Sequence, residues 1–396
     1  MTITRKNAQL YYSLILGLFW VIFGLMLGVA TVYLQAQGYS NSQIGLTLGI
    51  IYLTSTVLQP LLAALFDRMG KPLRMCVAAA YGVVTLLTGT LLFLQPEGAA
   101  LAVNLVLLFA LKSALQSSIN SMVQSFELAG TPVNFGLARG IGSLSYGVIV
   151  AIAGVVLEKV SPLLLPGSYL GLLILMILLL ALPKMDDRVP EKKAKQKGEK
   201  KGSAALSHPC FVLFLIASAC FSLNATVNGS FMLQIMQKMG GNSAEYGLAT
   251  SIPAVLEFPA MILYSWFARR AGENRLLVVS GWAWFVKNGL ILLARSPEAI
   301  YAAQALQFVS YALFIPGVVR YISSILPEEA FLKGQSLYGS AYTLGNVIAS
   351  FSGGVLLDAV GVNNTLAIVQ VFSFLGALLL SISVKKSVQL TRAKKA

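Results

Sequence analysis

Charge is what this sequence has least of. Asp, Glu, Lys and Arg make up 11% of its 396 residues, while apolar residues make up 57%. A soluble domain carries about a quarter charged residues. Folded in water, this chain would leave large apolar patches uncovered, so composition alone directs it to a bilayer. One histidine and three cysteines leave little room for metal chemistry. His208 begins an apolar segment after a basic stretch and reads as a surface residue. Cys76, Cys210 and Cys220 fall in or beside apolar runs, without metal-ligand spacing, and read as small packing residues. No glycine-rich Walker loop is present to cradle nucleotide phosphates, which argues against an ATP-driven pump. No catalytic constellation is present either, so an enzyme is not expected. No cofactor is expected; a proton gradient would be the energy source.

What the chain does have is long apolar segments. Twelve are counted, at 11–34, 43–66, 75–95, 99–124, 137–158, 162–182, 209–236, 244–267, 275–295, 299–324, 334–357 and 363–384. About 20 apolar residues in a helix cross ~30 Å of hydrocarbon. The first segment is too long for a signal-peptide core and lacks a small-residue cleavage site, so it is expected to be retained. The expected fold class is all-α, a membrane protein of 12 transmembrane helices. They form two pseudo-symmetric six-helix bundles, 1–183 and 209–384. Between them lies a basic cytoplasmic linker, 184–208, without apolar periodicity, and after them a basic cytoplasmic tail, 385–396.

The basic residues are unevenly placed. With the N-terminus inside, Lys159, Lys238 and Arg295 fall in outer loops and Lys112 and Lys287 inside spans, which leaves 24 of the 29 Lys and Arg on the cytoplasmic side. That bias orients both termini inward. It also explains the net charge of +14 through topology signals and lipid head-group contact, without nucleic acid. The expected location is a cell membrane, crossed many times, and the expected state a monomer.

The two halves echo each other. Gly38 to Gly45 (GYSNSQIG) returns as Gly240 to Gly247 (GGNSAEYG), Phe66-Asp67-Arg68 as Phe267-Ala268-Arg269, and Ala153 to Val160 as Gly353 to Val360. A duplicated half in a membrane protein is the architecture of secondary transporters, with the solute site at the repeat interface.

Two loops carry a family signature. Gln59-Pro60-Leu61 leads into Asp67-Arg68-Met69-Gly70-Lys71, with Ala63 at the position of a usual first glycine, and span five opens Asn134 to Ser143 (NFGLARGIGS). Together these resemble the major facilitator superfamily, in its lactose permease-like, oligosaccharide:proton symporter branch. The resemblance implies that Arg139 contacts sugar and that Lys287 belongs to a buried charge network. Several of that branch's charged positions are missing. Its span-ten histidine and glutamate fall near Gln307 and Ser310, its span-seven aspartate and span-eleven lysine near Leu223 and Thr343, and its span-four glutamate near Ser121. The lactose-type proton relay is therefore absent as such.

Ionisable groups within hydrocarbon cost several kcal/mol unless paired or wetted, so the few present are functional candidates. Glu257 in span eight and Lys287 in span nine lie at similar depth. They are read either as a buried ion pair that sets helix register or as the proton-coupling pair. Lys112, Gln116, Asn120 and Gln124 recur every four residues on span four and so share a helix face. Arg139 with Ser143 on span five, Asn224 and Asn228 on span seven, Gln304, Gln307 and Tyr311 on span ten, and Tyr338, Tyr342, Asn346 and Ser350 on span eleven make similar stripes. The substrate-binding candidates are Lys112, Gln116, Asn120, Arg139, Asn224, Asn228, Gln307, Tyr338, Tyr342 and Asn346. Amides bond hydroxyls and tyrosines stack on flat rings, but both serve helix packing equally well. Asp67, Arg68 and Lys71 are expected to act as a conformational gate through a charge contact made in one state only. The function expected is secondary active transport of a small polar organic solute, a sugar, oligosaccharide or nucleoside, by proton symport. The alternatives are an organic anion (carboxylate), favoured by the excess of cations over Glu257 within the spans, and drug export.

Overall fold

The structure, a computed structural model, describes residues 3–183 and 208–393, and every regular element among them is helical. The predicted linker therefore lies outside the described residues apart from His208. The chain divides into two compact units, Met1–Ala194 and Lys195–Ala396.

In the first unit, α1 (Ala8–Phe23) passes through a π turn (Gly24–Gly28) into α2 (Ala30–Ala36). Then come α3 (Asn41–Met69), α4 (Leu73–Phe93), α5 (Gly98–Leu128), α6 (Phe135–Lys159) and, after a short 3-10 turn, α7 (Leu165–Ala181). In the second unit, α8 (Pro209–Ser230) bends into α9 (Met232–Lys238), followed by α10 (Ser243–Ala271) and α11 (Glu273–Leu293). Span ten is α12 (Pro297–Ala305), a 3-10 turn (Leu306–Phe308) and α13 (Tyr311–Ile325). Finally α14 (Glu328–Ala393) is broken at Gly361, whose φ of 77° is left-handed. Eleven helices are long and apolar enough to cross a membrane, and the last of them, Lys333–Leu390, is the one broken at Gly361, so the described residues make twelve crossings. Leu86, Phe93, Leu182 and Leu293 stand more than two-thirds exposed, as lipid-facing side chains do.

One expectation is corrected, and two details are added to the others. Spans one, seven and ten are broken by short irregular turns. The helix of span twelve runs on through the expected tail to Ala393, because nothing after Gly361 interrupts α14. The pairing of Asp67 with Ala268 is displaced. Ser40 and Gln43 form a capping box at the start of α3, and Asn242 and Glu245 form one at the start of α10, 202 residues later. Each box satisfies two otherwise orphaned N–H groups. Gly38 (φ 80°) and Gly240 (φ 79°) keep the same offset, as do the bends at Val29 (φ −118°, ψ 17°) and Phe231 (φ −116°, ψ 19°). Both α3 and α10 are 29 residues long. Counted from these helix ends, Asp67 corresponds to Arg269 and Arg68 to Arg270. The repeat reverses a charge there.

Small residues let the helices approach closely, as is usual where lipid supplies no hydrophobic drive between them. In the first unit α1 packs along α6. At Gly142 a β-carbon would overlap the Trp20 indole. In the second unit α8 packs along α14, and at Gly345 a β-carbon would overlap Ser222 Oγ and stand 2.6 Å from the Ala219 carbonyl oxygen.

Candidate solute and coupling sites

The second unit holds a charge network built on a broken helix. Gln307 lies in the 3-10 turn that interrupts span ten. Its Oε1 accepts from Lys287 Nζ at 2.6 Å and its Nε2 donates to Glu257 Oε1 at 3.0 Å. Lys287 is buried and Glu257 half-buried, with Pro253 and Pro259 on either side of Glu257 in α10. The predicted pair is therefore joined through an amide. Irregular backbone at membrane depth is tolerated where protein or a water-filled cavity surrounds it, and discontinuous helices are where transporters build their sites. Gln307, one of the substrate-binding candidates, bridges the two charges in this conformation.

The amide stripe of span seven is engaged in helix packing. Asn228 Nδ2 donates to Asn224 Oδ1 at 2.9 Å and to Asn288 Oδ1 at 2.8 Å. Asn224 Nδ2 donates to the Val369 carbonyl at 3.1 Å, and Asn288 Nδ2 to Ser373 Oγ at 3.4 Å. Asn224 and Asn228 are 1% and 6% exposed, so in this conformation they tie α8 to α11 and α14 and present no face to a solute. Asn346 Oδ1 accepts from Thr226 Oγ1 at 2.7 Å. Tyr338 stacks on Phe214 with ring centres 5.8 Å apart and lies 6.0 Å from Tyr342. Asn228→Ala removes the donor for two buried acceptors. The expected outcome is a loss of about 1–3 kcal/mol in stability, read as a lower apparent melting temperature in detergent, with an unchanged solute KM.

The first unit is built differently. The Lys112 side chain is wholly enclosed. Its Nζ lies 3.4 Å from the centre of the Phe19 ring, 5.3 Å from that of Phe23 and 6.0 Å from that of Tyr81, and donates to the Phe19 carbonyl at 3.4 Å. Arg139 lies over the Trp20 ring at 4.2 Å, and its Nη1 donates to Ser143 Oγ at 2.5 Å. Glu127 is exposed near the end of α5. Gln116 and Asn120 are half-buried, and their side-chain amides make no hydrogen bond to another described residue. Asp67, Arg68 and Lys71 are exposed at the C-terminal end of α3, without an ion pair to another described residue.

The aromatic cluster of Phe19, Trp20, Phe23 and Tyr146, with Tyr81 beside it, was not singled out from sequence. Its signal was present in the spacing of Phe19 and Phe23 by one helical turn, but apolar spans are rich in such pairs. Asn288 was legible only as the neighbour of Lys287.

These features have relatives among transporters. A Bacillus subtilis protein described as uncharacterized transporter YwbF is 25% identical over 364 residues, covering 89% of this chain and 88% of its own. The raffinose permease of Escherichia coli is 22% identical over 407 residues, covering 96% of this chain and 92% of its own. A mutant form of the nucleoside transporter NupG superposes with a TM-score of 0.80 at 14% identity, over 96% of this chain and all of that one. That likeness establishes the fold. The model of the MFS_1 like family matches residues 10–368, nearly the whole chain, and the protein belongs to that family as a multi-pass membrane transporter of the major facilitator superfamily.

Proposed function

We propose that the protein moves a small polar organic solute across the cell membrane by alternating access, as a monomer with both termini cytoplasmic, in symport with protons. The observation that carries the coupling is the Glu257–Gln307–Lys287 bridge. When the Glu257 carboxylate takes a proton it can still accept from Gln307 Nε2, but the contact loses its charge assistance, the attraction to Lys287 is lost, and the new O–H needs an acceptor of its own. Because Gln307 forms part of the break in span ten, that change acts on the helix itself.

Sugars, oligosaccharides and nucleosides are the first substrate class. The uncommitted amides of Gln116 and Asn120 suit hydroxyl groups, and one relative is named for raffinose and a structural neighbour for nucleosides. Purified protein in proteoliposomes, given a panel of sugars, nucleosides and carboxylates with and without an inward proton gradient, tests the proposal. Wild type is expected to accumulate its solute only with the gradient. E257Q should exchange solute but no longer accumulate it. Undiminished gradient-driven accumulation by E257Q overturns the coupling role.

A further inference from the structure

Lys112 is the one charge in the first unit's described helices that is wholly enclosed. No described carboxylate pairs with it, and its polar contact is a carbonyl at the long distance of 3.4 Å. An ammonium has three donors. Three aromatic rings surround it, and ring faces offer a cation much less than a carboxylate does in such surroundings. A second, independent observation lies beside it. The Tyr81 hydroxyl is fully buried and has no hydrogen-bond partner, and the buried Trp20 Nε1, on a ring 5.5 Å from that of Phe19, has none. The ammonium of α5 and the phenol of α4 are thus neighbouring donors short of acceptors, while the Trp20 indole lies against Gly142 of α6. Buried donors left unmet each cost free energy, so the cluster favours a ligand that brings acceptors and negative charge.

We infer that Lys112 and its neighbours receive an anionic group of the transported solute, which narrows the hydroxyl-rich class proposed above to its acids, sugar acids first among them. This rests on the transport function proposed above. The cluster is closed in this conformation, so the anion reaches it in a conformation that parts α1 from α5. Arg139, on the far side of the same aromatic cluster, adds to the positive field.

The test uses purified full-length protein in detergent and matched pairs of probes that differ in charge: gluconate with glucose, galacturonate with galactose, benzoate with benzamide, propionate with propionamide. The readout is the shift in melting temperature and the affinity derived from it. At least one carboxylate is expected to stabilise the protein while its neutral twin does not. In K112M that preference should fall about tenfold or more, while the variant without ligand melts no lower than wild type, because a buried unpaired charge has been replaced by an apolar side chain of similar length. K112Q, also uncharged, provides the same comparison if K112M does not fold. Equal shifts by charged and neutral twins, a preference that persists in both variants, or no shift from any carboxylate overturns the inference. No proton gradient exists in detergent, so this result is independent of whether Glu257 couples transport to protons.

Discussion

Lys287→Met, with Glu257 left in place, is expected to be the most damaging single change in the second unit. It removes the cation at one end of the Lys287–Gln307–Glu257 bridge and leaves a carboxylate at membrane depth bonded to an amide whose oxygen has lost its donor. Removing one partner of a buried ion pair costs about 3–5 kcal/mol, much of it for stranding the other charge. The variant should give a low yield and a large drop in apparent melting temperature. Adding E257Q should restore most of it, since the double variant strands no charge. Near-additive losses in the double-mutant cycle would show that the two charges do not act through Gln307.

The second large effect is steric. In Gly345→Ala the new methyl meets the Ala219 carbonyl oxygen at 2.6 Å and overlaps Ser222 Oγ. A side chain can rotate away, but a helix backbone carbonyl cannot without moving α8. Overpacking costs about 1–3 kcal/mol in an ordinary core, and the upper end applies where backbone opposes backbone. Gly339→Ala, six residues earlier on the same helix, has open space around its new methyl and should melt like wild type or slightly higher. If the two variants melt alike, α8 and α14 do not pack as closely as described.

Much of the fold was legible because the bilayer imposes length and polarity on each span directly. The 29-residue helices α3 and α10, their capping boxes and the left-handed glycines before them follow from local patterns that recur at a single offset. Register was less legible. The three-letter likeness pairs Asp67 with Ala268, one residue short of the correspondence with Arg269 that the ends of α3 and α10 set. The break in span ten was not legible either. Nothing in Leu306, Gln307 and Phe308 marks a 3-10 turn by composition, and the corresponding helix α5 is continuous.

The polar stripes show the limit most clearly. Spacing by four puts Asn224 with Asn228, and Gln116 with Asn120, on common helix faces, and in this respect the two stripes are identical. The first is consumed by Asn288 and Val369, while the amides of the second are left uncommitted. A periodicity reports which residues share a face, never what faces them.

By itself, then, the sequence determined that this chain lies in a bilayer, how many times it crosses, and that its halves are copies. Those properties depend on composition, segment length and repetition, which are local or additive along the chain. Only tertiary structure decided that Gln307 stands between Glu257 and Lys287, that Lys112 is enclosed by rings and not by an acid, and which amides are committed to helix packing. Each of these depends on residues brought together from separate helices, at distances of 2.6–6.0 Å that no spacing along one helix encodes.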